Sequence, residues 1–315
     1  MRRALLRRGV SEEHAGWVAE SLVQTSLRGI DTHGVRLFPT YLSELDGGRS
    51  VAQPQMRWLG EARAARVLDA GNALVLVAGR VASGEAVRLA RENGIGAVAV
   101  RSSNHFGAAS VYTLEMARQG LLGLAFSNSD ALVAPFHGQR PVFGTNPISL
   151  AVEGQGGDLF CADFATSQTS YSKVRQRRQQ GLPLENGWAG DGDVLLPLGA
   201  GSGHKGQCLG MMVEILCAVL AGMPFDHELS HLFAAPWDEP RQVSHLFLAF
   251  DLAAFREPGA VRTDLSRLMR IVRDQPAALG ERVLVPGDPE AEAVADRLRQ
   301  GIPLTEEEAE AFARI

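Results

Sequence analysis

Two short polar islands carry the residue types best able to move a proton or grip an anion. They are Asp31-Thr32-His33-Gly34-Val35-Arg36 and Ser103-Asn104-His105-Phe106-Gly107. Gly144-Thr145-Asn146-Pro147 and Asp163-Phe164-Ala165-Thr166-Ser167 follow further along. Small polar clusters at the ends of regular elements point to a site assembled from several loops, as enzymes build them.

His33 and Arg36 are three apart on a helix predicted to begin near His33 and to run to about Leu45, so they share a face. Tyr41 lies two turns beyond His33 on nearly the same side. Imidazole, guanidinium and phenol together would cradle a small carboxylate, because Arg grips it bidentately and His exchanges a proton near neutral pH. The same spacing also fits a capping histidine beside a solvated arginine. His105, in a strand-to-helix loop, is placed either to act as general acid or base or to cap the helix that follows. Gly144 to Pro147 has turn chemistry, and Asp163 to Ser167 could offer donors to a sugar or phosphate.

Gly201-Ser202-Gly203-His204-Lys205-Gly206 has the spacing of a dinucleotide fingerprint. That fingerprint needs a preceding strand and a later strand ending in an acid. Here Pro197 interrupts the run before it, and Asp226 follows Pro224 in no clear strand. No Ser or Thr follows Lys205, so it is not a Walker loop either, although a glycine-rich helix start still suits a phosphate. Of 31 basic side chains only Lys173 and Lys205 are lysines, so Lys205 invites either a specific role or chance retention. No histidine pair has zinc-ligand spacing with a helical rationale, so no metal is expected.

Residues 11–28 predict a helix with Ser11 as N-cap and Gly29 as stop. Residues 1–62 read as a small helical domain, with an extended linker around Pro54. Residues 63–315 read as an α/β domain. Its expected helices are 80–92 and 108–118, and its expected strands 95–100, 121–126, 148–152, 159–162 and 243–251. Residues 168–235 are more helical, centred on an apolar, buried helix over 207–221. A helix over 264–273, a short strand over 282–285 and a charged helical tail over 290–315 complete the reading. His105 and Ser129-Asp130 fall just past strands, where ligands of such sheets commonly bind.

The chain has 315 residues, 45% of them hydrophobic, with a net charge of −5, ample for a buried core. No basic patch with interleaved aromatics suggests nucleic acid. Three oddly spaced cysteines fit a reduced, cytoplasmic protein rather than a disulfide or zinc framework. Met1 to Gly9 lacks a signal-peptide pattern, and Leu209 to Leu220 is too short for a bilayer and carries Glu214, so no membrane partner is expected.

Taken in order, Asp-Thr-His-Gly-Val-Arg at 31–36, Asn-His-Phe-Gly at 104–107, Gly-Thr-Asn-Pro at 144–147, Asp-Phe-Ala-Thr-Ser at 163–167 and His-Lys-Gly at 204–206 resemble the malate/L-lactate dehydrogenase family of the non-Rossmann type. That family includes ureidoglycolate, sulfolactate and diketogulonate oxidoreductases and piperideine-carboxylate reductases. Ser129-Asp130, Met211-Met212 and Pro224-Phe225 are similar to the ureidoglycolate dehydrogenases in particular. The resemblance implies a three-layer α/β fold like that of L-sulfolactate dehydrogenase, with a small helical domain, in a homodimer. It implies NAD or NADP as cofactor and a small 2-hydroxy, 2-keto or imino acid as substrate. It gives His105, and in some members His33, to proton transfer. Arg36, Tyr41, Asp130, Thr145 and Asn146 fall to the substrate. Ser129, Asp163, Phe164, Ala165, Thr166, Lys205, Gly287 and Asp288 fall to the cofactor.

Some positions depart from the family pattern. Arginine follows histidine by three residues rather than four. The stretch from Trp188 to Leu195 is shortened, Ser172 replaces a glycine, and extra small residues occupy 199–205. These departures define the alternative, a catalytically weakened paralogue that binds a small carboxylate or nucleotide.

Overall fold

The structure, a computed structural model, describes residues 1–60, 62–185 and 187–315. Helices α1 (Arg2–Leu6), α2 (Glu12–Leu27) and α3 (Phe38–Gly47) come first. Ser11 caps α2, its hydroxyl accepting from His14 N–H. Strands β1 (Arg57–Leu59) and β2 (Ala65–Asp69) follow, then α4 (Val75–Asn93), β3 (Ile95–Ser103), α5 (Ser110–Arg118) and β4 (Leu121–Ser127). Next are β5 (Ile148–Glu153), β6 (Leu159–Phe164), α6 (Tyr171–Gln179), α7 (Gly203–Glu214), β7 (Val243–Asp251), α8 (Pro258–Arg273), α9 (Asp288–Gln300) and α10 (Glu306–Ala313).

The strands form one sheet in the order β1-β2-β3-β7-β4-β5-β6. Only β2 and β3 run parallel; the other pairs are antiparallel. Period-two alternation sorts the strand residues into two layers. Val98, Val100, Ala125, Phe247 and Ala249 face the core shared with α2, α3 and α4. Ala99, Phe126 and Leu246 face Val213 and Cys217 on the other side. Residues 57–59, inside the expected helical unit, thus join the main sheet as β1, and α1 to α3 share one continuous core with it.

One edge of this sheet gathers the loops that carry chemistry. The pairings Ser103 with Val243, Ser127 with His245 and Ile148 with Phe164 align the carboxyl ends of β3, β4 and β6 with the amino ends of β5 and β7. His105, Ser129, Thr145 and Asp163 to Ala165 therefore emerge from neighbouring points.

Three sequence expectations are corrected. The helix expected from His33 starts only at Phe38, after two short 3₁₀ turns over Asp31–His33 and Val35–Leu37. Gly34 separates them: it lies so close to α2 that an added Cβ would sit 2.0 Å from Ser26 Oγ, which accepts from Val35 N–H. The strand expected over 282–285 does not form, because Val285 N–H caps the Asp288 carboxylate and Pro286 has no N–H to offer a ladder. The apolar helix near 207–221 buries Val213, Cys217 and Ala218 but exposes Met211, Met212, Ile215, Val219 and Leu220. A π-helical turn over Ile215–Val219 shifts its register midway. Among the described residues no helix is long and apolar enough to cross a membrane.

Candidate active site

A cavity of about 320 Å³ opens at that sheet edge, within the size range of small-ligand sites. His33, His105, Ser129, Asp130, Thr145, Asp163, Phe164 and Ala165 line it.

His105 leaves the end of β3 in a fixed direction. Asn104, fully buried, donates from Nδ2 to the carbonyls of Asn72 and Ala73, both at 3.2 Å. Phe106, on the other side, stacks on His245 with ring centres 4.6 Å apart. His105 Nδ1 lies 3.1 Å from Tyr41 Oη, brought in by α3. Its ring stacks on that of His33 at 5.6 Å, and His33 Nδ1 lies 2.8 Å from Thr32 Oγ1. Among the described residues His105 Nε2 has no hydrogen-bond partner, which leaves that nitrogen for a ligand. Burial, then the charges of His33, Arg241 and His245, hold the His105 pKa well below the usual histidine value. Burial also lowers His33, opposed by Asp163. Burial raises the Tyr41 phenol, so it stays protonated. The pair His105–Tyr41 is therefore uncharged at neutral pH, with the imidazole ready to accept a proton.

The opposite wall is organised by a carboxylate knot. Asp226 accepts from Ser129 N–H at 3.2 Å, Gly144 N–H at 2.7 Å and Asn146 Nδ2 at 2.8 Å. Its own N–H donates to Glu214 Oε1 at 2.9 Å. Burial together with the neighbouring Asp226 pushes the Glu214 pKa up, so Glu214 holds the proton and Asp226 the charge. Ser129 Oγ then accepts from Thr145 N–H at 3.1 Å, and Thr166 donates from Oγ1 to the Thr145 carbonyl, also at 3.1 Å. Asp163 Oδ2 accepts from Ser110 N–H at 2.8 Å, at the start of α5.

Tyr41, Asn146 and Thr166, expected in direct contact, instead support the residues that line the cavity. Arg36 points away from the cavity and pairs with Glu308 of α10 at 2.9 Å, because Gly34 turns it off the His33 face. Lys205 is exposed on the first turn of α7, outside the lining. Gly287 and Asp288 start α9; Asp288 pairs with Arg273 at 2.7 Å, and it is Glu290, one turn on, that reaches the cavity.

Sequence reading missed several residues. His231, Leu232 and Phe233 form a wall, pinned from behind by two buried arginines. Arg49 Nη1 donates to the Leu232 carbonyl at 3.2 Å and Nη2 to that of Ala234 at 2.7 Å. Arg241 Nε donates to the Ser230 carbonyl at 3.0 Å, and its Nη2 pairs with Asp130. Nothing local marks these contacts. For Asp226 the one signal is the Pro224-Phe225 pair just before it, similar to the ureidoglycolate dehydrogenases.

A small cavity with an uncharged, oriented histidine, at one edge of a three-layer α/β sheet, can exchange a proton with a small bound acid. The family model for malate/L-lactate dehydrogenase matches residues 1–313, and the chain belongs to that family. It is 36% identical over 262 residues to the (2R)-3-sulfolactate dehydrogenase (NADP(+)) of Chromohalobacter salexigens, covering 79% of this chain and 77% of that one. It is 31% identical over 277 residues to the ureidoglycolate dehydrogenase (NAD(+)) of Escherichia coli O157:H7, covering 84% and 78%. The solved malate dehydrogenase of Pyrococcus horikoshii superposes with a TM-score of 0.90 at 30% identity, covering 99% and 90%. The sulfolactate dehydrogenase of Methanocaldococcus jannaschii superposes at 0.92 with 27% identity, covering 99% and 92%.

Proposed function

We propose that this chain moves a hydride between a nicotinamide cofactor and C2 of a small 2-hydroxy or 2-keto acid, with His105 as the proton-transferring residue. The observation that carries this reading is the free Nε2 of a neutral, Tyr41-held His105 at the cavity. In the oxidising direction Nε2 takes the proton of the substrate hydroxyl while Nδ1–H donates to Tyr41 Oη. In the reducing direction the imidazolium returns that proton to the carbonyl oxygen. His33, stacked on the same ring, lines the approach and is the runner-up for the role.

NAD or NADP supplies the hydride acceptor or donor. The residues present fit such a group: Phe164 offers an apolar ring that is 41% exposed, flanked by Asp163, Ala165 and the knotted Ser129 and Thr145. Thr166 packs near Gly210 of α7, whose first turn carries Lys205, and this reading gives Lys205 a cofactor phosphate or ribose oxygen. Gly287 and Asp288 hold α9 against β6, so that Glu290 reaches the same cavity. Arg36 takes the substrate carboxylate by exchanging it for Glu308. In support, Thr32 belongs both to the cavity wall and to the neighbouring groove where Arg36 sits.

The reading extends to a homodimer, supported by the exposed apolar residues Met211 and Met212 at the end of α7 and Ile215, Val219 and Leu220 along and just past the π-helical turn after it. It also extends to a cytoplasmic setting, supported by three unpaired cysteines. The test is a panel of 2-hydroxy and 2-keto acids with NAD(H) and NADP(H), followed by nicotinamide absorbance, with the mass taken by light scattering. Turnover of at least one acid is expected from a dimer. Tight nucleotide binding with no turnover of any acid would instead establish the weakened paralogue.

A further inference from the structure

The charges around the cavity are one-sided. Asp130, Asp163 and Glu290 bring three carboxylates to its wall, while no lysine or arginine lines it among the described residues. Arg36 can meet one substrate carboxylate from the rim, and that leaves no cation for a second. Asp130 is the acid least able to withdraw. It is 6% exposed, and one oxygen, Oδ1, is locked to the buried Arg241. The other oxygen, Oδ2, is buried and accepts no hydrogen bond. A buried acceptor left without a donor is costly, and a ligand that brings one recovers that cost.

The ring beside Oδ2 is His231, with Nε2 at 3.8 Å, beyond hydrogen-bond reach. His231 Nδ1 accepts from Phe233 N–H at 3.2 Å, so the ring proton sits on Nε2. Its side chain is 37% exposed, and one bond holds it, so a ligand can displace it from Oδ2. Ser129 and Thr145 hydroxyls and Tyr171 complete a lining of neutral donors and acceptors.

From this we infer that the substrate is a monoanion: a 2-hydroxy or 2-keto acid whose second polar group is an uncharged hydrogen-bond donor, an amide or hydroxyl, received by Asp130. The inference rests on the function proposed above and narrows it. A second carboxylate or a sulfonate would bring no donor to Asp130 Oδ2, and the nearest cation, Arg241, is already held by Asp130 Oδ1 and the Ser230 carbonyl behind the wall.

The test uses isosteric pairs on the full-length protein. One pair is malate against its 4-amide as substrates. The other is succinate against its monoamide as non-reacting ligands, with affinities measured calorimetrically in the presence of oxidised cofactor. The amide of each pair should win by about tenfold or more, the scale of one buried polar group left unpaired. Asp130→Asn, whose carboxamide oxygen can still accept from Arg241, should abolish most of that preference by raising the dianion. His231→Ala changes only a third-exposed ring, and the amide preference should survive in it even if Asp130→Asn does not fold. Equal or tighter binding of the dianions by the wild type would overturn the inference. Failure to oxidise any 2-hydroxy acid would sink the proposed reaction, while the succinate pair would still read the charge preference.

Discussion

The two sides of the cavity are held by carboxylates in opposite circumstances. On one side, Asp226 is buried, and its charge is divided among three N–H donors from two loops. On the other, Glu308 lies on the surface helix α10 and pairs with the half-exposed Arg36. A buried, fully bonded carboxylate fixes backbone, whereas a single, partly exposed ion pair is weaker and exchanges more readily. The Asp226 side of the cavity is thereby rigid and the Arg36 side replaceable, which suits the proposed binding, turnover and release of a small acid.

The largest expected effect lies between these sides. His105→Gln should lower kcat by about 10²–10⁴-fold with cofactor affinity unchanged, the range for loss of one general acid–base group. Near-wild-type turnover would transfer the role to His33. Because burial depresses the His105 pKa, the acid limb of kcat/KM for hydroxyacid oxidation should fall below pH 6.5, the ordinary histidine value. The sign follows from the neutral ring being the working base: activity holds as pH falls until the ring protonates. An acid limb at or above 6.5 would contradict the burial described here.

Next comes the knot. Asp226→Asn keeps the shape but exchanges one acceptor oxygen for a donor facing N–H groups. It should cost at least about 1.5–3 kcal/mol, the worth of a charged hydrogen bond, and should raise KM for the cofactor. Glu214→Gln keeps an uncharged acceptor for Asp226 N–H and should be much milder in the same melts and kinetics. Equal losses from the two would mean that the shared proton is not placed as described.

The smallest effect belongs to the exchangeable side. Glu308→Gln should lower KM for the acid severalfold and leave kcat and the thermal midpoint nearly unchanged. A rise in KM would make Glu308 a partner of Arg36 during binding rather than its competitor.

The regular elements were legible because their signals are local. Ser11, Gly29 and Gly94 punctuate helices, and the runs of β3, β4 and β7 alternate between two packed faces. Strands β1 and β2 were missed because three to five residues with arginines among them carry little pattern. In the site, the residues on strand ends came together as the loop motifs suggested. Arg36 did not follow His33, since the spacing rule assumes an unbroken helix and Gly34 breaks it. His231 and Arg241 were illegible for another reason. Their meaning lies in Asp130, about a hundred residues away, and no periodicity encodes such a contact.

The almost wholly antiparallel sheet has a practical consequence for redesign. In doubly wound dehydrogenases, nucleotide preference is commonly rewritten at the acid that ends the second strand of the βαβ unit. Among the described residues the one such unit is β2-α4-β3, and its second strand ends at the buried Ser103 rather than at an acid. That substitution recipe therefore has no address here. Anyone seeking to change the nucleotide used would have to work on loops and on helix α9, where Glu290 meets the cavity, and would have to choose positions by structure rather than by alignment to the common motif.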